Sequence, residues 1–248
     1  MEAATWESFY RHLKPQTVKY TRSIVSYLDI LGFRELVETK TAGELSRILR
    51  ILAESVAPHP TDEPVSIQFT KFSDTVIRSM ESASPAYFIY ELKSILRAQM
   101  ALIPQGVMVR GAVTVGDIVQ SWGVVYGPAV VRAYELETGP PRIIIDGEAL
   151  TRLQPRVTNE EVLSELGLAR RDATAIYLDY LRACEVELDP EKCEYPRFLE
   201  LHRDFVRNGL KKHANNPRVL EKYEWLRDYH EKTLSAKFAA NIPPHLRV

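Results

Sequence analysis

Residues 107–127 read VMVRGAVTVGDIVQSWGVVYG, and this stretch does most to restrict the fold. Valine is stiff at χ1 and suits a pleated surface better than a helix. Glycines punctuate the run, so it reads as a β-hairpin, with Gly116-Asp117 closing a turn. The chain is thereby committed to a sheet. Upstream, Tyr20–Asp29 reads as a strand, and Glu35–Val56 as a helix with Leu36, Leu45, Ile48, Leu49 and Leu52 on one apolar stripe. "APHPTDEP" reads as a loop by its prolines. Val65–Thr70 and Thr75–Met80 read as short strands around "KFSD", and Ser84–Ile103 as a helix with Pro85 in its first turn. Pro128–Leu136 reads as a further helix, and "RIIID" as a strand.

The order is strand, helix, hairpin, helix, hairpin, helix, strand. It predicts a ferredoxin-like α+β fold, an antiparallel sheet with helices on one face and an extra hairpin strand. Past about residue 170 the pattern changes. "FLELHRDFVRNGLKKH" and "RVLEKYEWLRDYHEKTLSAKF" are amphipathic and joined by "ANNP", which predicts an antiparallel helical pair. The expected division is residues 1–170 as one domain and 171–248 as a helical extension packed on that domain or on a second copy of it.

Composition narrows the function. The net charge of −1 over 248 residues gives no bulk field favouring nucleic acid or an anionic membrane. The N-terminal "MEAATWESFYRHLKP" lacks a basic start and an apolar segment, and no run approaches the ~20 apolar residues of a membrane span. Cys184 and Cys193 read as free thiols of a reducing compartment, so a cytoplasmic protein is expected. Neither cysteine belongs to a CxxC pair, and a structural role is expected for both. His202, His213 and His230 are not spaced i, i+4, which argues against zinc and for solvent-facing side chains. Tyr223, Trp225 and Tyr229 fall at helical spacing and read as packing contacts, and "RNGLKKH" as a solvated basic face.

Two aspartates stand out against this background. In "SYLDILGFRELVE" a strand reaches Asp29 and turns through Leu-Gly-Phe into a helix; in "FTKFSDTVIRS" Asp74 sits within a hairpin. A ferredoxin-like sheet brings these positions onto neighbouring strands. Like charges that close repel unless a proton or a cation intervenes, and hard cations such as Mg²⁺ or Mn²⁺ choose carboxylate and phosphate oxygens. Gly32 permits a close backbone approach, and the helix after it offers free N–H groups of the kind that cradle phosphate. The alternative is local: Asp29 as a helix cap and Ser73-Asp74 as a turn.

"YLDILGF", "FSDTV", "VRGAVTVG", "YGPAVVRAYELE" and "TGPPRIIID" follow the order and spacing of the class III nucleotidyl cyclase domain, and residues 20–150 resemble that family. "LDILGF", "GPA…AYELE" and "KYEWLRDYH" resemble its pyrimidine cyclases from bacterial Pycsar anti-phage systems. The resemblance implies a homodimeric enzyme holding two Mn²⁺ or Mg²⁺ ions per site, which cyclises UTP, with CTP as the alternative substrate, and signals to a separate cyclic-nucleotide effector. Asp29 and Asp74 match the metal-binding aspartates, with the Ile30 carbonyl as a further ligand. Leu31, Gly32 and Phe33 match the backbone donors to the triphosphate. The purine readers of the family fall on Thr70, with Lys71 beside it, and on Val124, and neither Thr70 nor Val124 reproduces a purine contact; Lys71 reads either as a base or phosphate contact or as a solvated edge. The transition-state Asn and Arg fall on Val131 and Glu135. Arg110 is the preferred substitute cation, and Arg132 the other. The late Gly- and Lys-rich phosphate segment of many relatives is not seen. Two further expectations stay open, a non-enzymatic nucleotide-binding or dimerising module and an adenylate cyclase with an altered base pocket.

Overall fold

The computed structural model describes residues 18–56, 66–82, 84–121, 123–153, 158–189, 191–239 and 241–248. The "APHPTDEP" loop, Val65 and the first 15 residues lie outside them. The sheet is built around β1 (Thr21–Ile30). Alternate residues Ile24, Leu28 and Ile30 are fully buried on one face, as period-two patterning requires. β2 (Ile67–Phe72) and β3 (Thr75–Met80) form a hairpin, and β4 (Val109–Ser121) lies on the other side of β1. The order β2-β3-β1-β4, with every neighbour antiparallel, is the four-stranded ferredoxin-like arrangement.

Both crossovers are helical. The first contains α1 (Phe33–Thr39) and α2 (Ala42–Val56); the second is α3 (Pro85–Leu102). Phe88, Leu92, Ile95 and Leu96 of α3 join Ile24 and Leu28 in the main core. That core also encloses a charged pair: Arg78 contacts Glu91, which accepts a 2.6 Å hydrogen bond from Ser26. Opposite charge beside each group offsets the cost of burying it.

The single helix expected over Glu35–Val56 is two. Thr41 breaks it: its N–H and hydroxyl donate to the Glu44 carboxylate at 2.9 and 2.7 Å, a capping box written in the sequence as TAGE. The turn expected at Gly116-Asp117 is also corrected. β4 runs straight through both residues, and its hairpin partner β5 (Val124–Tyr126) comes later. Gly116 is there for space instead. A Cβ would sit 3.2 Å from the Ala129 methyl of α4 (Pro128–Leu136), which packs on the face opposite α3 through Ala129 and Ala133.

β6 (Ile143–Ile145) pairs with β4 in parallel. α5 (Gly147–Arg152) and α6 (Glu160–Glu165) follow. Two strands that the pattern did not reveal, β7 (Ala169–Arg171) and β8 (Ile176–Leu178), then extend the same sheet beyond β6. The division at residue 170 falls inside β7. α7 (Tyr180–Glu187) leads to the tail pair α8 (Glu194–Lys212) and α9 (Pro217–Phe238), where Asn216 caps α9 and Pro217 occupies its first position. Phe198, Leu199, Leu226 and Leu234 of this pair belong to the same core as β1. No helix among the described residues is long and apolar enough to cross a membrane.

The histidine expectation is overturned at two positions. His202 and His230 are fully buried between α8 and α9, not solvent-facing, and His213 stacks on the Tyr223 ring. Cys184 is buried and Cys193 exposed, and both are free thiols.

Candidate active site

Antiparallel register fixes which side chains share the sheet face under α4. Phe72, Thr75, Asp29 and Arg110 form one cross-strand row; Thr70, Ile77, Tyr27 and Ala112 form the next. Asp29 therefore stands directly opposite Arg110. The Arg110 guanidinium donates to Asp29 Oδ2 from Nε at 3.0 Å and from Nη2 at 2.9 Å. Asp74 lies in the β2–β3 turn, where Ser73 adopts φ 56°. The Asp74 carbonyl accepts from the Ile30 N–H at 3.3 Å, which ties the turn to the end of β1. The two carboxyl groups meet there. Burial pushes the Asp29 carboxyl above its usual range; hydrogen bonds and charge from Arg110 pull it down, and the Asp74 charge pushes it up again.

A third carboxylate joins them. Glu137, just past α4, brings Oε1 to 2.7 Å from Arg110 Nε. The single Nε hydrogen is directed at Asp29, so this Glu137 oxygen is buried without a hydrogen bond. Burial raises the Glu137 carboxyl, Arg110 opposes the rise, and Asp29 adds to it. Glu137 stands in the quoted AYELE motif, yet only its position beside Arg110 gives it meaning.

Around the β1–α1 turn the backbone is less open than expected. The Leu31 N–H donates to the Met108 carbonyl at 2.8 Å. Gly32 has φ 74°, the left-handed region that a side chain disfavours, and the space around it is open. Glycine is needed there for the turn. Phe33 packs partly against the core, and the Phe33 and Arg34 N–H groups lie in the first turn of α1, where no intrahelical acceptor exists.

The remaining expected residues divide. Thr70 lies on the Asp29 face and accepts from Gln120 Nε2 at 2.9 Å. Lys71, one residue on, belongs to the other face and donates to the Leu49 carbonyl of α2 at 3.4 Å. Arg132 is held elsewhere, by Asp146 at 3.0 Å. Burial alone would raise Asp146, but hydrogen bonds from Arg132 and Thr114 outweigh it and hold the carboxyl below its usual range. Val124, Val131 and Glu135 are exposed.

The donor set suits a cation that arrives with its own oxygens. Asp29 and Asp74 offer hard ligands, and no group of three or more His, Cys, Asp or Glu among the described residues is arranged to hold an ion alone. Mg²⁺ is characteristically held by one or two carboxylates together with substrate phosphates.

Beside Arg110 opens a cleft of about 450 Å³ between the end of α4 and α9. Glu137, Thr138, Gly139 and Pro140 line one side; Arg218, Glu221, Lys222 and Trp225 line the other. Sequence reasoning did not connect α9 with the aspartates. Their separation along the chain leaves no local signal.

No protein-family model and no curated protein matches the chain. Solved structures do. The chain is similar to the adenylyl cyclase CyaB from P. aeruginosa, at 16% identity over 65% of this chain and 94% of that one, with a TM-score of 0.41. It is similar to the guanylyl cyclase Cya2, at 14% identity over 66% and 93%, with a TM-score of 0.42. A bacterial light-regulated adenylyl cyclase is similar at 15% identity over 56% of this chain, with a TM-score of 0.43, and there the match spans about half, 46%, of the other chain.

Proposed function

We propose that this chain is a class III-type nucleotidyl cyclase that converts UTP, with CTP as the alternative substrate, into the 3′,5′-cyclic nucleotide and pyrophosphate. The observation that carries the reading is the approach of Asp74, in the β2–β3 turn, to Asp29, at the end of β1, beside Arg110.

In this reaction the ribose 3′-oxygen bonds to the α-phosphorus while the bond to the bridging oxygen breaks, releasing pyrophosphate. Asp29, Asp74 and the Ile30 carbonyl would hold Mn²⁺ or Mg²⁺. Such ions supply acidification of the hydroxyl and neutralisation of the departing phosphates. The rest falls to the protein's own groups. Arg110 releases the Asp29 carboxylate and turns its fork of donors to phosphate oxygens, for which guanidinium geometry is suited. Gly32 sets the turn that presents the Phe33 N–H, while Leu31 contributes through the backbone path alone, its N–H being engaged. Thr70, oriented by Gln120, offers a hydroxyl on the site face, where no acidic or basic purine reader stands. Lys71 acts through α2 and not through the base.

A homodimer completes the reading. Phe72, Val124, Tyr126, Val131 and Tyr134 are exposed apolar side chains on β2, β5 and α4, available to a second copy. Residues 1–170 are proposed as the cyclase unit and 171–248 as the extension that covers it. A cytoplasmic role in anti-phage signalling through a separate effector follows from the Pycsar resemblance.

One observation favours a second reading. Arg110 already neutralises Asp29, and Val131 and Glu135 carry no cation, as in a nucleotide-binding module without turnover. Incubation of the purified protein with each of the four NTPs and Mn²⁺, followed by mass spectrometry, separates the two. Cyclic UMP or CMP that drops at least 100-fold in Asp74→Ala is the expected outcome. Absence of any cyclic product, with nucleotide binding retained, establishes the module; cyclic AMP as the main product overturns the pyrimidine assignment.

A further inference from the structure

We infer that the cleft between α9 and the end of α4 binds an oligophosphate, with Arg218 and Lys222 as its cations and Trp225 as its wall. The inference deepens the cyclase reading and rests on it for the identity of the ligand as the β- and γ-phosphates of the nucleotide or the released pyrophosphate.

The argument starts from charge. Of the ionisable groups lining the cleft, Arg110 is engaged by Asp29 and Glu137. Among the described residues, Arg218 and Lys222 form no ion pair, although many other surface cations of this chain do. They stand one helical turn apart on α9, at i and i+4, and so project to the same side. Lys222 is half-buried. Burial lowers its ammonium, and the charges of Arg110 and Arg218 lower it further; Glu137 and Asp29 only partly compensate. A half-buried ammonium crowded by two guanidinium groups is relieved by an incoming anion. Glu221 lies exposed on the rim, and Glu137 faces Arg110, which leaves the Arg218 and Lys222 side of the cleft to an anion.

Position and size agree with charge. Arg110 belongs both to the cleft and to the Asp29 row, so an oligophosphate held by Arg218 and Lys222 reaches from α9 toward the paired aspartates. The cleft's 450 Å³ is large enough to admit a di- or triphosphate. The residues that supply positive charge therefore come from the tail helix of the same chain, where the sequence shows no Gly- and Lys-rich phosphate segment.

The test uses the full chain and inorganic tripolyphosphate and pyrophosphate in metal-free buffer, followed by calorimetry. Wild type is expected to bind, more weakly as salt rises, and Arg218→Gln/Lys222→Gln to bind at least tenfold more weakly with an unchanged thermal melt. Lys211→Ala/Lys232→Ala, which removes the same charge from exposed positions elsewhere on the tail helices, is expected to bind as wild type. No binding by wild type, or equal weakening in both double variants, overturns the inference. Steady-state cyclisation distinguishes its failure from that of the cyclase reading. An active enzyme whose KM for the nucleotide is unmoved by Arg218→Gln/Lys222→Gln sinks the cleft alone. Tripolyphosphate binding that depends on these two residues, in a protein that cyclises no NTP, leaves the cleft standing and sinks the reaction.

Discussion

At the scale of single residues, the buried histidines have only one self-consistent set of protons. His230 Nε2 faces the Leu246 carbonyl at 2.9 Å and must carry hydrogen. Its Nδ1 is then an acceptor, so His202 Nδ1, 3.0 Å away, must donate, and His202 Nε2 accepts from the Tyr180 hydroxyl. Both rings are neutral and fully used. Burial lowers both imidazoles, His202 well below the ordinary range, and a proton taken up by His230 would oppose one on His202. Tyr229 packs on His202, and Glu231 and Arg203 act on His230 in opposite senses. The unfolded chain takes up these protons near pH 6.5, the folded chain only at lower pH. Their stabilisation is complete above pH 6.5 and is lost as pH falls, by up to about 1.4 kcal/mol per histidine at pH 5.5. Urea titrations at pH 7.5 and 5.5 check this, and His230→Gln is expected to reduce the pH dependence by about half. Neither histidine announces its burial in the sequence. They face each other because α8 and α9 run antiparallel, and that register is invisible to a reading of either helix alone.

At the scale of elements, the α8–α9 contact turns on Gly209. A Cβ there would lie 2.0 Å from the Tyr223 ring, which Phe205 and His213 hold from its other sides. Alanine improves helix propensity by about 1 kcal/mol over glycine in an exposed helix. Here overpacking opposes that gain, at about 1–3 kcal/mol or more. Gly209→Ala is therefore expected to lower the melting temperature, and the same substitution in a Tyr223→Ala background to raise it, a reversal of sign that differential scanning calorimetry reads directly. The two tail helices and α3 were legible: apolar stripes, Asn216-Pro217 and the Pro85 start are local signals, whereas the short α5, α6 and α7 carry none that was read. The break at Thr41 was equally legible in TAGE, and the long apolar stripe running past it concealed it. Gly116 misled for the opposite reason, since a glycine that makes room for Ala129 looks the same in sequence as one that turns a chain.

At the scale of the whole molecule, β1, β2, β3 and the helical nature of both crossovers follow from hydrophobic period, β4 only in part because its expected turn is absent, and the approach of Asp29 to Asp74 follows from the ferredoxin-like order of those strands. The rest of the sheet does not. β7 and β8 are three residues each, too short for any period to show. β8 pairs with β6 and β7 with β8, which carries the sheet past residue 170 and places Tyr177, Leu178, Tyr180 and Leu181 in the same core as Leu28 and Leu92. A protein cut after residue 170 is thus expected to lose cooperative unfolding or solubility, as circular-dichroism melting would record; a sharp native-like transition would make the extension dispensable. The cleft beside Arg110 also has a consequence in time. A ribosome delivers Asp29, Asp74 and Arg110 early and Arg218, Lys222 and Trp225 much later, so an unfinished polypeptide carries acids and no opposing wall. Prematurely released translation products would then stay indifferent to polyanions.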